Sequence, residues 1–120
     1  MQDVETKKEI KAKIKQIAKG LITRKAEIQL FPTHLGSGET IYAYFECYIE
    51  NKPFAGVLTQ KRILLLHKPI FSDEQEVSFR PGQIQGVKKH RGILSGRIEL
   101  QIGKKVIKFD SITNVEIEPF

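Results

Sequence analysis

A chain of 120 residues is one domain's worth, long enough to bury about two-thirds of the surface that its unfolded form exposes. Its 40% hydrophobic and 28% charged content excludes wholesale disorder, and its longest aliphatic run, Ile63 to Leu66, is far short of the roughly 20 residues that span a bilayer. The formal charge is +6, and eight basic against three acidic residues up to Lys25 put +5 of it in the first 25 positions, leaving the remainder near neutral.

Charged residues begin at Asp3 with no long apolar stretch nearby, which predicts no secretory leader and a cytoplasmic protein. Cys47 has no second cysteine to pair with, so no internal disulfide and no CxxC redox or zinc site can form.

In the first segment Ile10, Ile14, Ile17 and Leu21 recur at helical spacing among lysines, predicting a basic amphipathic helix within residues 1–25 that stops near Gly20. Its narrow stripe can dock on the protein's own body or lie in a membrane interface; the lack of Trp and Phe favours docking. Residues 26–40 connect this helix to the strands, and Phe31 to Gly38, with a proline and two glycines, reads as a loop.

From Ile41 the period changes to two. Ile41, Ala43, Phe45, Cys47 and Ile49 alternate with Tyr42, Tyr44, Glu46, Tyr48 and Glu50, the pattern of a half-buried strand with the first set inward. A turn at Asn51 to Pro53 leads to a strand over Phe54 to Thr59, a hairpin tip at Gln60-Lys61 and a buried return over Arg62 to His67. After a loop over Lys68 to Asp73, further strands are expected at Glu76 to Phe79, Ile84 to Lys89, Arg97 to Ile102 and Lys105 to Phe109. About seven short antiparallel strands predict a sandwich or partly closed barrel over residues 41–120. Thr113 or Asn114 can cap a C-terminal helix of at most one turn before Pro119 interrupts it.

Chemistry-bearing constellations are sparse. His34, His67 and His90 are too widely spaced for a local metal site, and Cys47 falls on an apolar strand face where its thiol is raised and inert. Gly36-Ser37-Gly38 precedes a strand rather than a helix, so it does not read as a phosphate cradle. Asp73, Glu74 and Glu76 lie in a polar stretch and read as solubilising charges. No cofactor, metal or catalytic role is expected. One charged cluster stands out in the barrel: Lys88, Lys89, His90 and Arg91, with Arg97 beyond a Gly92 to Gly96 loop, a candidate surface for phosphate or an acidic partner. Its plain alternative is a solvated strand end whose charges discourage edge pairing.

Several separated landmarks share one order with a known family. They are Leu35-Gly36-Ser37-Gly38-Glu39-Thr40, then Gly56 to Leu64 at the central hairpin, then Ile84-Gln85-Gly86-Val87, and finally Gly92, Gly96 and Ile98-Glu99-Leu100. Over Leu35 to Ile112 the chain resembles the bacterial pleckstrin-homology-like (PH-like) domains, specifically the YokE-like group, and more distantly the GRAM domains. The resemblance implies a fold that is mostly β, a bent antiparallel barrel of about seven strands, normally closed by a C-terminal helix that is absent or cut short here. Thr59 and Arg62 then shape and support the hairpin, Arg62 by satisfying loop carbonyls. The uncovered barrel end is expected to be covered by the Ile10, Ile14, Ile17 and Leu21 stripe, from the same chain or a second copy.

The basic K-x-R pattern of phosphoinositide-binding PH domains is replaced here by Glu50-Asn51-Lys52-Pro53, so that site does not transfer. The leading expectation is a non-catalytic binding module for an unknown protein partner or for self-assembly. The alternative is peripheral association with anionic membrane lipids through the basic helix and the Lys88 to Arg97 cluster. Nucleic acid is disfavoured, because base stacking would fall to Tyr42, Tyr44 or Tyr48 and the basic cluster is not interleaved with them.

Overall fold

A computed structural model describes residues 4–18, 22–117 and 119–120. A 14-residue helix, α1 (Val4–Ile17), is followed by two single turns, α2 (Lys25–Ile28) and α3 (Phe31–His34). Seven strands come next: β1 (Ile41–Ile49), β2 (Lys52–Thr59), β3 (Ile63–His67), β4 (Gln75–Phe79), β5 (Gly86–Arg91), β6 (Ser95–Ile102) and β7 (Lys105–Thr113). A 3-10 turn over Pro81–Gln83 links β4 to β5, and α4 (Asn114–Ile117) is the single C-terminal turn that the sequence allows.

The strands form one antiparallel sheet in the order β4-β3-β2-β1-β7-β6-β5, curled into a half-barrel. Its inner face holds Phe45, Phe54, Leu58, Leu65, Ile98, Leu100 and Phe109, drawn from both ends of the sheet. Gly56 stands opposite Phe45 in the β1–β2 register, and a Cβ there would lie 2.3 Å from the Phe45 ring. The glycine therefore makes room for the Phe45 ring in this core.

A second core lies on the outer face of β1, β2 and β3, where Tyr44, Ala55, Val57, Leu64 and Leu66 meet Ile14, Ile28, Phe31 and Leu35 from the N-terminal segment. Apolar cover on both faces explains why β3 reads as a continuous run, Ile63-Leu64-Leu65-Leu66, rather than an alternation. The structure corrects several expectations. Residues 31–38 are not simply a loop: α3 forms at Phe31–His34, and Phe31, Pro32 and Leu35 are buried. Tyr44, expected on the solvent face of β1, is only 3% exposed because the helices cover it. Ile41 does not share the inner face, since a register shift between Ile41 and Ala43 sends it to the outer core.

The barrel end is also covered differently. The α1 stripe packs on the outer face, with Ile14 fully buried and Ile10 and Ile17 against the same cluster; Leu21 lies outside the described residues. The inner core is instead sealed by Ile117 of α4, fully buried, and by Phe120, whose ring stands edge-on 4.8 Å from that of Phe45. Gly96 lets this turn approach the sheet: a Cβ on Gly96 would lie 2.6 Å from the Ile117 side chain and 2.1 Å from the His90 carbonyl oxygen.

Candidate functional site

The sheet ends in two unjoined edge strands, β4 and β5. Phe79 at the end of β4 and Val87 in β5 line a cavity of about 170 Å³ whose other walls include Leu58, Ile63, Leu100 and Phe120. Tyr42 and Val87 stand at its rim, 59% and 45% exposed. An apolar cavity of about 150 Å³ is known to admit a benzene ring, so this mouth has room for one large apolar side chain.

A polar clasp contributes Thr59 and Arg62 to one wall of the mouth. The Glu39 carboxylate accepts hydrogen bonds from Arg62 Nε at 2.9 Å and a second guanidinium nitrogen at 3.1 Å, from the Thr59 hydroxyl at 2.7 Å and from the Gly36 amide at 2.9 Å. Burial pushes the Glu39 pKa up, but the bonds from Arg62, Gly36 and Thr59 outweigh it and hold the carboxyl down at about 2. Arg62 also donates to the His34 carbonyl at 2.7 Å, the loop-carbonyl role expected of it. Thr59 Oγ1 accepts from the amides of Lys61 and Arg62 at the hairpin tip. Thr59 and Arg62 are legible in the sequence as supports of the hairpin. Glu39 is not, and its only sequence signal is its place in the Leu35–Thr40 landmark.

The basic cluster is divided by strand alternation. All six residues of β5 are exposed, and successive side chains leave opposite faces of the strand. Lys88 stands across from Glu99 and His90 across from Arg97 on one face, whereas Lys89 and Arg91 pair with Ile98 and Gly96 on the other. Glu99 gathers two of the first set: His90 Nε2 lies 2.7 Å and Arg97 Nε 3.4 Å from its carboxylate. Arg97 also reaches Asp110 at 4.0 Å. The five basic residues are thus close in the hairpin without forming one surface.

A second polar knot fastens the N-terminal segment. Glu46, expected to face solvent, accepts the Thr23 amide at 2.8 Å, the Thr23 hydroxyl at 2.6 Å, the Arg24 amide at 3.0 Å and the Tyr44 hydroxyl at 2.5 Å. Glu27, 1% exposed, accepts the Lys68 amide at 2.8 Å. Near the same knot burial pushes the Glu116 carboxyl up. Lys8, Lys11 and Lys15 of α1 and Lys25 of α2 line a groove of about 550 Å³ between these two helices.

The family model for bacterial PH domains matches residues 35–120. This chain belongs to that family. The match takes in the half-barrel, the clasp and the mouth, while α1 and α2 precede it. No curated protein and no solved structure matches the chain.

PH domains are generally non-catalytic binding modules. In this PH domain Cys47 is buried and burial pushes its thiol far up, as its strand position predicts. His34 lies 2.8 Å from Glu76, His67 lies 2.7 Å from the Pro53 carbonyl, and His90 is held by Glu99, so each histidine has a structural contact. Among the described residues no group of three or more His, Cys, Asp or Glu is placed to hold a metal, and no helix is long and apolar enough to cross a membrane.

Proposed function

We propose that this PH domain is a protein-interaction module that seats an apolar anchor residue of its partner in the open mouth of the half-barrel. One observation carries the reading: a cavity of about 170 Å³ with mainly apolar walls, to which Thr59 and Arg62 add a polar part, left between the two edge strands and rimmed by exposed Tyr42 and Val87. Apolar anchors in desolvated pockets dominate the energetics of protein interfaces, which is what such a mouth can offer. The partner is a foreign protein or a second copy, distinguished by the mass of the complex. Within the family we propose the YokE-like group, on the Leu35–Thr40, Gly56–Leu64 and Ile84–Val87 landmarks that carry the resemblance. A cytoplasmic setting is part of the same proposal.

The test uses Val87→Asp, which places a charge at the rim without entering the core. Size exclusion with light scattering, after purification of the intact chain from its source, is expected to show a stoichiometric complex for the parent and its loss in the variant. A parent that stays monomeric and carries nothing overturns the reading.

The alternative, peripheral association with anionic membrane lipids, keeps only part of its support. The α1 stripe is committed to the chain's own second core, which argues against insertion of the helix. The groove lined by Lys8, Lys11, Lys15 and Lys25 still offers adsorption by charge.

A further inference from the structure

The tip of the β5–β6 hairpin runs against both turn chemistry and solvation. The amide of Gly92 donates to the Ser95 carbonyl at 2.9 Å, so Ile93 and Leu94 are the two central residues of the turn. Such positions favour Gly, Asn, Asp and Pro, whose side chains or backbone freedom suit a bend in water. Here both are aliphatic, and they are 96% and 86% exposed. The turn is also tight: a Cβ on Gly92 would lie 2.4 Å from the Ser95 carbonyl oxygen, so the glycine is required by the closure. The chain thus holds two large apolar side chains outward on a short, well-defined finger.

Below the tip stand Lys88, Lys89, His90, Arg91 and Arg97, with Glu99 as the acid that His90 and Arg97 share. The alternation that divides these residues between the two faces of the hairpin sets cations on both sides of its stalk. That arrangement fits an object that enters an anionic layer tip first, rather than one that lies flat on it.

We propose that Ile93 and Leu94 form a membrane-insertion finger. The aliphatic tip enters the acyl boundary of an anionic bilayer while the basic stalk contacts lipid phosphates at headgroup depth. Charge complementarity selects this occupant: lipid phosphates at headgroup depth meet cations on both sides of the stalk, which an apolar pocket on a partner protein does not supply. The inference rests on the membrane reading, to which it gives a site separate from the α1 groove, and it is independent of the barrel mouth.

The chain contains no tryptophan, so Leu94→Trp installs a single indole at the tip. With phosphatidylglycerol vesicles its emission is expected to shift to the blue, with no shift for phosphatidylcholine and a smaller one in salt of about 0.5 M, which screens such contacts. Flotation of the full chain with the same vesicles is expected to fall about tenfold or more for Ile93→Asp combined with Leu94→Asp. Because both positions are exposed, circular dichroism and the thermal midpoint should match the parent. Undiminished flotation of the double variant with unshifted indole emission overturns the finger while leaving adsorption through the lysine groove standing. Absence of flotation by the parent overturns the membrane reading itself. A blue shift that grows with protein concentration and needs no vesicles also overturns the finger, and assigns the tip to a second copy.

Discussion

Glu39 shows how one side chain can decide a local architecture. It joins the segment before β1 to the β2–β3 hairpin by taking bonds from Arg62, Thr59 and Gly36 together. Its pKa is lowered from 4.5 to about 2 in the fold, so its contribution to stability is complete above pH 4.5 and is lost as pH falls toward 2. Urea midpoints measured between pH 7 and pH 2 are expected to fall most steeply in that window, and Glu39→Gln should flatten this part of the profile. At pH 7 the same substitution is expected to cost about 2 kcal/mol, because it leaves the Arg62 donors imperfectly paired. Cys47 gives a simpler expectation. A thiol reagent should modify it only after denaturant opens the inner core, since it is buried and its thiolate is suppressed.

At the scale of elements, the β1–β2 hairpin carries an unusual turn. Glu50 and Asn51 have φ of 51° and 66°, and Ile49 pairs with Lys52, so they form the two-residue loop of a hairpin whose central residues are both left-handed. Asn tolerates that conformation, whereas Glu does not favour it. Glu50→Gly is expected to stabilise the protein by about 0.5–1 kcal/mol, read as a higher midpoint in thermal denaturation. Gly56→Ala is expected to act in the opposite sense. The added methyl would meet the Phe45 ring in a filled core, and a loss of about 3 kcal/mol should appear as a lower urea midpoint.

For the whole molecule, the decisive feature is a sheet covered on two sides. The inner core is the half-barrel's own, closed by Ile117 and Phe120, while the outer core exists only because α1, α2 and α3 lie across β1 to β3. Among the described residues of α1, Ile14 is the fully buried point of that contact. Ile14→Asp is expected to cost about 3–5 kcal/mol, combining a lost aliphatic side chain with a buried charge, and to raise the binding of an apolar dye as the outer face opens. Most of the excess positive charge of the chain belongs to the same N-terminal segment, so docking the stripe turns its lysines toward solvent. Whatever α1 contacts beyond the chain, it meets with charge.

Local pattern was enough for most of the β-architecture. Period-two alternation, turn residues and an all-apolar β3 gave the seven strands, the central hairpin and the single C-terminal turn, because those features depend on neighbours two to four residues away. The family landmarks were legible for a related reason. Gly56 and Arg62 answer steric and hydrogen-bonding demands made within the hairpin and the segment beside it. What the sequence left open were contacts across long separations, which have no periodic signature. It could not show that the stripe of Ile10, Ile14 and Ile17 covers the outer face rather than the barrel end, nor that Glu46 would be taken up by Thr23 and Arg24. It named Lys88, Lys89, His90, Arg91 and Arg97 as one cluster, and the pleat of β5 divided them. The exposed turn at Ile93 and Leu94 was hidden for the converse reason: apolar residues in a sequence suggest burial, and only the tertiary fold decides which of them stay in water.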